Sequence, residues 1–421
     1  MKHELILLLK QRSMVLLVLL SLILTSLSLQ NGWQNISHIR TQILHAQQEE
    51  SLRKQDYLHS HQHDGTLDAG EIGYYLFHNV YHAPTEWSFI ALGNRLVTPY
   101  VQRIRLLGLQ GQLYDGESHH PEYVMLGSFD YAFWLVFFSP LLCIALMHDL
   151  RASEQQAQRL LFLNSLVAKP AHFWLKRVLV RWLLIVTTLT LPVIAFATLH
   201  ALSTGPLLLV LVITLLYTLF WTMVCAAISL HTRAVNASFN AMLLTSIWLC
   251  MTVILPNLAQ LWCHTHLPVK DGSQIALQHR QLVHGAWDLP KTDTLTPFYA
   301  LYPQWRDTPP VIGRFHWKWY FAFQHMADVR LAPQVAAREQ ALMQRDQATQ
   351  QLGWTLPGVW VQRQLEQLAH SNVTHLLAHR QQIEQFHTQL RHFVYPFLFE
   401  EQPFTAEDFQ RLPTFQSTAT D

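Results

Sequence analysis

Between Arg181 and Arg233 the chain carries no Asp, Glu, Lys or Arg. The stretch runs to roughly 50 residues, whereas crossing a ~30 Å hydrocarbon core takes roughly 20. It must fold back on itself, and HALSTGP at His200 to Pro206 supplies the Ser, Gly and Pro of a turn. Two membrane spans are therefore predicted here, over 182–199 and 206–230. Three other stretches free of charged residues have the required length and apolarity: 13–33, 131–147 and about 239–262. After Lys270 no apolar run approaches spanning length.

The 421 residues are 14% charged, against about 25% for soluble domains. A mean hydropathy of only +0.12 indicates that the apolar residues are concentrated in blocks. This composition excludes a disordered chain, and a net charge of +1 argues against nucleic acid as a partner. Membrane lipid is the implied surroundings of the five spans. The fold class expected is mainly α: a polytopic membrane helix bundle with two large extracytoplasmic regions, the C-terminal one helical.

Orientation follows from the basic residues of short loops. With the N-terminus inside, the inner segments hold ten Lys and Arg against Glu4, Asp149 and Glu154, a net +7, while the outer parts sum to −6. That is the positive-inside pattern. The expected layout is an interfacial segment and first span (1–30), a first outer region (31–128), spans two to five with an inner loop at 148–177 (129–262), and a second outer region (263–421). Lys2, Lys10 and Arg12 precede the first apolar block as in a signal peptide, but no A-x-A site follows. An uncleaved anchor is expected, with the N-terminus cytoplasmic and the C-terminus periplasmic.

In the second outer region Leu365, Ala369, Leu376, Ile383, Phe386, Leu390 and Phe393 recur at helical spacing. Upstream, 317–351 also reads as helix, broken at Pro333. The first outer region begins as helix over 36–59 and turns around His63, Asp64 and Gly65. Pro140, Pro192 and Pro256 fall inside spans, where they free backbone groups and kink helices.

Catalytic motifs are missing: the sequence contains no Gly-Lys-Ser/Thr phosphate loop, HExxH or G-x-S-x-G. No ionisable Asp, Glu, Lys or Arg lies at depth in the spans to couple ion movement. Any energy for transport is expected from a partner, and no cofactor is implied. The chain is not expected to be an enzyme. His59, His61 and His63 alternate ahead of Asp64 and are weak metal-ligand candidates. With 25 histidines spread through the chain, compositional bias explains this cluster, and no metal site is expected. The four cysteines form no C-x-x-C pair, and Cys263 stands apart at the polar end of its apolar run.

The inner loop reads HDLRASEQQAQRLLFLNSLVAKPAHFWLKR. Asp149, Glu154, the stretch QAQRLLFLNSLVAKP with Pro170, then Lys176 and Arg181 before a span resemble the signature of ABC-2 type transporter permeases. Ala157 and Gln158 stand where that family commonly has Gly-Thr. Trp248, Pro256, LPVKDGSQ, WKWYFAFQHMADVRLAP, LPGVWVQRQLEQLAHSN and a final LPTF look like the subgroup carrying the DUF3526 domain. Members often close with a sixth span after this last element, whereas this sequence ends at Asp421.

The resemblance implies a permease subunit of an ATP-driven exporter in a bacterial inner membrane. It would pair with a second copy or a sister permease and dock separate ABC ATPase subunits through the inner loop. Glu154, Arg159, Leu160 and Lys176 are the expected contact residues, with Arg151 beside them. The competing expectations are a membrane-anchored sensor or assembly scaffold, or a metal-handling membrane protein.

Overall fold

The computed structural model describes residues 10–60, 67–115, 129–166, 170–231 and 236–417, together with Glu4, Ile6 and Leu8. Helix α1 (Arg12–Ser60) is followed by α2 (Ala69–Tyr75), strands β1 (His78–Tyr81) and β2 (Val101–Ile104), and α3 (Leu109–Asp115). Then come α4 (131–147), the short α5 (Ala152–Gln156) and α6 (Leu160–Leu166), and the long helices α7 (Pro170–Leu199), α8 (Thr204–His231) and α9 (Ala237–His266). The remainder is α10 (Gly272–Gly285), α11 (Lys291–Leu301), α12 (Trp317–Gly353), α13 (Pro357–Leu368), α14 (Val373–Phe399) and α15 (Ala406–Gln410).

Among the described residues five helices are long and apolar enough to cross a membrane: α1, α4 with its continuation through α5, α7, α8 and α9. They coincide with the five expected spans. Helix α4 is the hub, with 67% of its most apolar window buried, and α9 lies at the rim with 11%. Hydroxyl and indole groups tie the bundle together: Trp134 donates to Thr25 Oγ1 at 2.9 Å, Trp182 to Thr218 Oγ1 at 3.2 Å, and Ser21 to Thr188 Oγ1 at 3.1 Å. Such bonds are a recurrent glue between apolar helices, where burial alone gives no preference for helix over lipid.

Helix α1 does not stop at the end of its apolar block. It continues unbroken for 49 residues, about 70 Å at 1.5 Å per residue, so the first span and the helical start of the first polar region are one rod. Gly32 does not interrupt it. A Cβ there would lie 2.1 Å from the Phe89 carbonyl oxygen, so glycine lets the 88–90 turn pack directly on the rod. Helix α7 starts twelve residues earlier than the predicted span, at Pro170, a residue well suited to the first helical turn. Helix α12 runs through Pro333 rather than breaking there. One lost backbone bond is offset by Leu331 and Val335, buried on either side of the proline.

The two polar regions share one core. Ile72, Ile104, Leu109 and Leu113 from the first pack with Phe298, Phe321, Phe386, Tyr395 and Phe399 from the second. Strands β1 and β2 pair antiparallel, with His78 opposite Ile104, and Leu67 bridges to Phe404 across the regions. At the core's polar centre the Asp328 carboxylate accepts from the backbone N–H groups of Leu109 and Gln110, at 2.8 and 3.0 Å, and pairs with Arg391. Helix α13 belongs to the other side of this unit: Val361, Leu365 and Ala369 are buried in the core formed by the spans.

Candidate functional site

The ends of the bundle sort into two sets, and each set forms a joint. At the first joint lie Glu4, the turn after α4, and the near ends of α7, α8 and α9. The buried Glu154 carboxylate, at the start of α5, pairs with Arg159 at 2.9 Å and with Arg177 of α7 at 2.7 Å. Arg177 also pairs with Glu4. Arg181 reaches the Asp149 carboxylate at 3.0 Å and the Leu146 carbonyl. Arg151 donates to the Leu230 carbonyl at 2.7 Å, and Asn240 to the His148 carbonyl at 3.2 Å. These contacts bind all five membrane-length helices, or the segments that lead into them, to the 148–159 turn.

Of the four contact residues expected from the sequence, Glu154 is therefore held inside the joint. Arg159 and Lys176 are exposed, and Leu160 is half-buried. Beside them α6 turns out two residues that are not among the four expected contacts, Leu161 at 84% and Phe162 at 64% exposure. Gln158, in the turn between α5 and α6, has φ 56°, the left-handed conformation that favours glycine. Of the histidine candidates, His59 lies near the end of α1, while His61 and His63 fall outside the described residues. Among the described residues no three His, Cys, Asp or Glu side chains are placed to share a metal ion.

The second joint lies at the opposite end of α4, where the spans meet α13. Here a chamber of about 460 Å³ opens between α4, α9, α12, α13 and the 93–97 turn. Its walls are mostly apolar, with Phe133, Phe137, Val97 and Met251 among them, and two carboxylates line it, Asp130 and Glu366. Asp130 is buried at 4% exposure and caps α4, its oxygens accepting from Phe133 N–H and Leu92 N–H at 2.9 Å each. Burial pushes its acid up to about 6, and these backbone bonds only partly oppose the shift. Glu366, in the last turn of α13, accepts from Gln362 at 2.8 Å. Burial raises it too, and the charge of Asp130 adds to the shift.

Two walls of the chamber carry the same backbone device. Residues 134–138 of α4 and 250–254 of α9 form π turns, each followed two residues later by a proline, Pro140 and Pro256. A proline cannot donate to the carbonyl four residues before it, and wider turns of this kind concentrate at functional sites. In α4 the carbonyl so released, that of Val136, accepts from the Tyr217 hydroxyl at 2.8 Å. The next carbonyl, that of Phe137, accepts from Trp248 Nε1 at 3.2 Å and ties the two walls together. Pro140 thus acts through a local widening whose carbonyls find side-chain partners on α8 and α9.

Sequence reasoning singled out neither carboxylate. Asp130 reads as the residue that ends a loop, and Glu366 as one polar position beside the apolar stripe of α13. A signal that could have marked the walls was the repeated spacing of an aromatic or apolar run, one residue and a proline.

Residues 273–418 match the family described as a domain of unknown function (DUF3526). No curated protein and no solved structure matches the chain. The chain is thus a mainly helical protein with five membrane-length helices among its described residues, and residues 273–418 resemble the DUF3526 family.

Proposed function

We propose that this chain is the membrane subunit of an ATP-driven exporter of the ABC-2 type in a bacterial inner membrane. In this reading a separate ATPase subunit docks on the 148–177 segment, on the cytoplasmic side, and a second permease chain completes the assembly. The shared polar unit of α2, α3 and α10–α15 stands in the periplasm. The observation that carries the reading is the exposed apolar face of α6 set beside an ionic joint common to all five spans. Leu160, Leu161 and Phe162 would fill a groove of the ATPase, with Arg159 and Lys176 at its rim. Glu154 would transmit movement from within, because a displacement of α5 is passed to α7 through Arg177 and, through Glu4, to the start of α1. The sequence supports this division of labour, since it has no phosphate loop of its own.

Extraction from native membranes in a mild detergent tests the proposal. An ATP-hydrolysing subunit should copurify in stoichiometric amount and be lost from Leu161→Glu/Phe162→Glu chains. If the native chain carries no such subunit, and instead holds a protein bound through its polar unit, the sensor or scaffold reading replaces this one.

A further inference from the structure

The chamber of the second joint has a size and lining that match a ligand site. At about 460 Å³ it lies within the roughly 300–1,000 Å³ range of small-molecule pockets, which are mostly apolar with a few placed polar groups. Its charges do not balance. Arg363 is a lining residue, but Asp346 holds its guanidinium through two bonds, of 2.6 and 3.1 Å. Among the described residues neither Asp130, which is 4% exposed, nor Glu366 forms an ion pair; the charge of Arg363 acts on Glu366 from nearby but is already matched by Asp346.

The helix ends sharpen the imbalance. Asp130 stands at the N-terminus of α4, where the helix dipole and two N–H groups favour its negative charge. Glu366 has no such support, because it stands in the last turn of α13, where the dipole is itself negative. A carboxylate there calls for a cation.

The lining decides which kind. Calcium or magnesium requires about six or more oxygen ligands or retained waters and zinc a set of His or Cys ligands, whereas this chamber offers two carboxylates, two threonines and a glutamine, with no His or Cys, among mostly apolar walls. Phe133 and Phe137 on one wall are suited to an organic cation, since aromatic faces attract onium groups. We propose that the chamber binds a cation with an apolar body, a quaternary onium ion or a hydrophobic protonated amine, its charge held by Glu366 and Asp130 and its body by Phe133, Phe137, Val97 and Met251. The π turns at 134–138 and 250–254 give this site walls whose backbone is already widened. This inference stands on the chamber alone and does not require the ATPase reading.

Binding of tetraphenylphosphonium to the purified full chain in phosphatidylcholine nanodiscs tests it, with empty nanodiscs subtracted and tetraphenylborate as a probe of like shape and opposite charge. The phosphonium should bind saturably at one site per chain and the borate should not. Glu366→Gln, which keeps the hydrogen bond to Gln362, should weaken phosphonium binding by about tenfold or more, a change expected on removing one buried partner of a charge pair. In the native chain affinity should fall as pH drops through about 6, where Asp130 takes up its proton, and Asp130→Asn should flatten that dependence. Equal binding of the two probes, absence of saturable phosphonium binding, or native affinity in a Glu366→Gln chain of unchanged melting temperature would each overturn the proposal. If Asp130→Asn fails to fold, Glu366→Gln and the borate comparison still decide. A failed ATPase copurification leaves the result untouched.

Discussion

The two ends of α4 use carboxylates in opposite ways. At the first joint Glu154 is buried against two guanidinium groups, and each is placed by a different part of the chain. At the second joint Asp130 is buried and Glu366 half-buried, and among the described residues neither forms an ion pair, although the charge of nearby Arg363 partly opposes the upward shift of Glu366. A paired buried carboxylate holds a structure together, and removing one partner leaves the other charge stranded. An unpaired one burdens the fold and is retained where something else neutralises it. The comparison separates the joint proposed to transmit force from the cavity proposed to bind a cation.

The largest expected effect is at the paired end. Glu154→Gln should destabilise the chain by about 3 kcal/mol, read as a drop in melting temperature in detergent. The same chemical change at the unpaired end should go the other way: Glu366→Gln should leave stability unchanged or raise it by about 1 kcal/mol. Equal losses at both positions would erase the distinction drawn here.

Acid should sharpen it further. His325 and His387 are buried in the polar unit with pKa values lowered by desolvation to about 3, and Arg391 adds to the effect in both. Unfolded, each imidazole takes up a proton near its ordinary 6.5, so the unfolded state binds more protons as pH falls below that value. Stability contributed by these groups is present above about 6.5 and declines from there toward 3. Asp130 has the reverse sign: as an acid raised to about 6, it binds a proton in the folded state first. Its penalty is largest above 6 and is relieved as pH falls toward 4. Thermal melts between pH 7 and 4 should therefore show net acid destabilisation that becomes steeper in Asp130→Asn, where the opposing contribution is gone.

The smallest effect is expected in the turn between α5 and α6. Gln158→Gly removes a left-handed strain of about 1–2 kcal/mol but adds backbone freedom to the unfolded chain. A net gain below about 1 kcal/mol is expected.

Much of this architecture was legible in the sequence because a span is a local property. About 20 residues without a charge define it regardless of what packs nearby, and all five positions were visible in that way. The helix past Trp33 was expected over 36–59, but its unbroken continuity with the apolar block was not, because residues 34 and 35 belong to neither pattern. The continuity of α12 through Pro333 depends on tertiary burial that local rules do not register. The chamber was hidden for a stronger reason: Asp130 and Glu366 are far apart in sequence and become neighbours only when α13 lands on the spans. The 148–177 segment was singled out through its residue order, but the burial of Glu154 required knowing where Arg177 points.

The account rests on the two joints lying on opposite faces of the membrane, and cysteine accessibility tests this most directly. Cys263 is too buried to report, at 8% exposure, so single cysteines at Leu161 and Trp354, exposed at 84% and 82%, would be placed in a chain lacking the native four. In sealed right-side-out vesicles a membrane-impermeant maleimide should label Trp354→Cys and spare Leu161→Cys, with the pattern reversed in inverted vesicles. Labelling of both positions from the same side would contradict the five-span arrangement and, with it, the separation of the two joints.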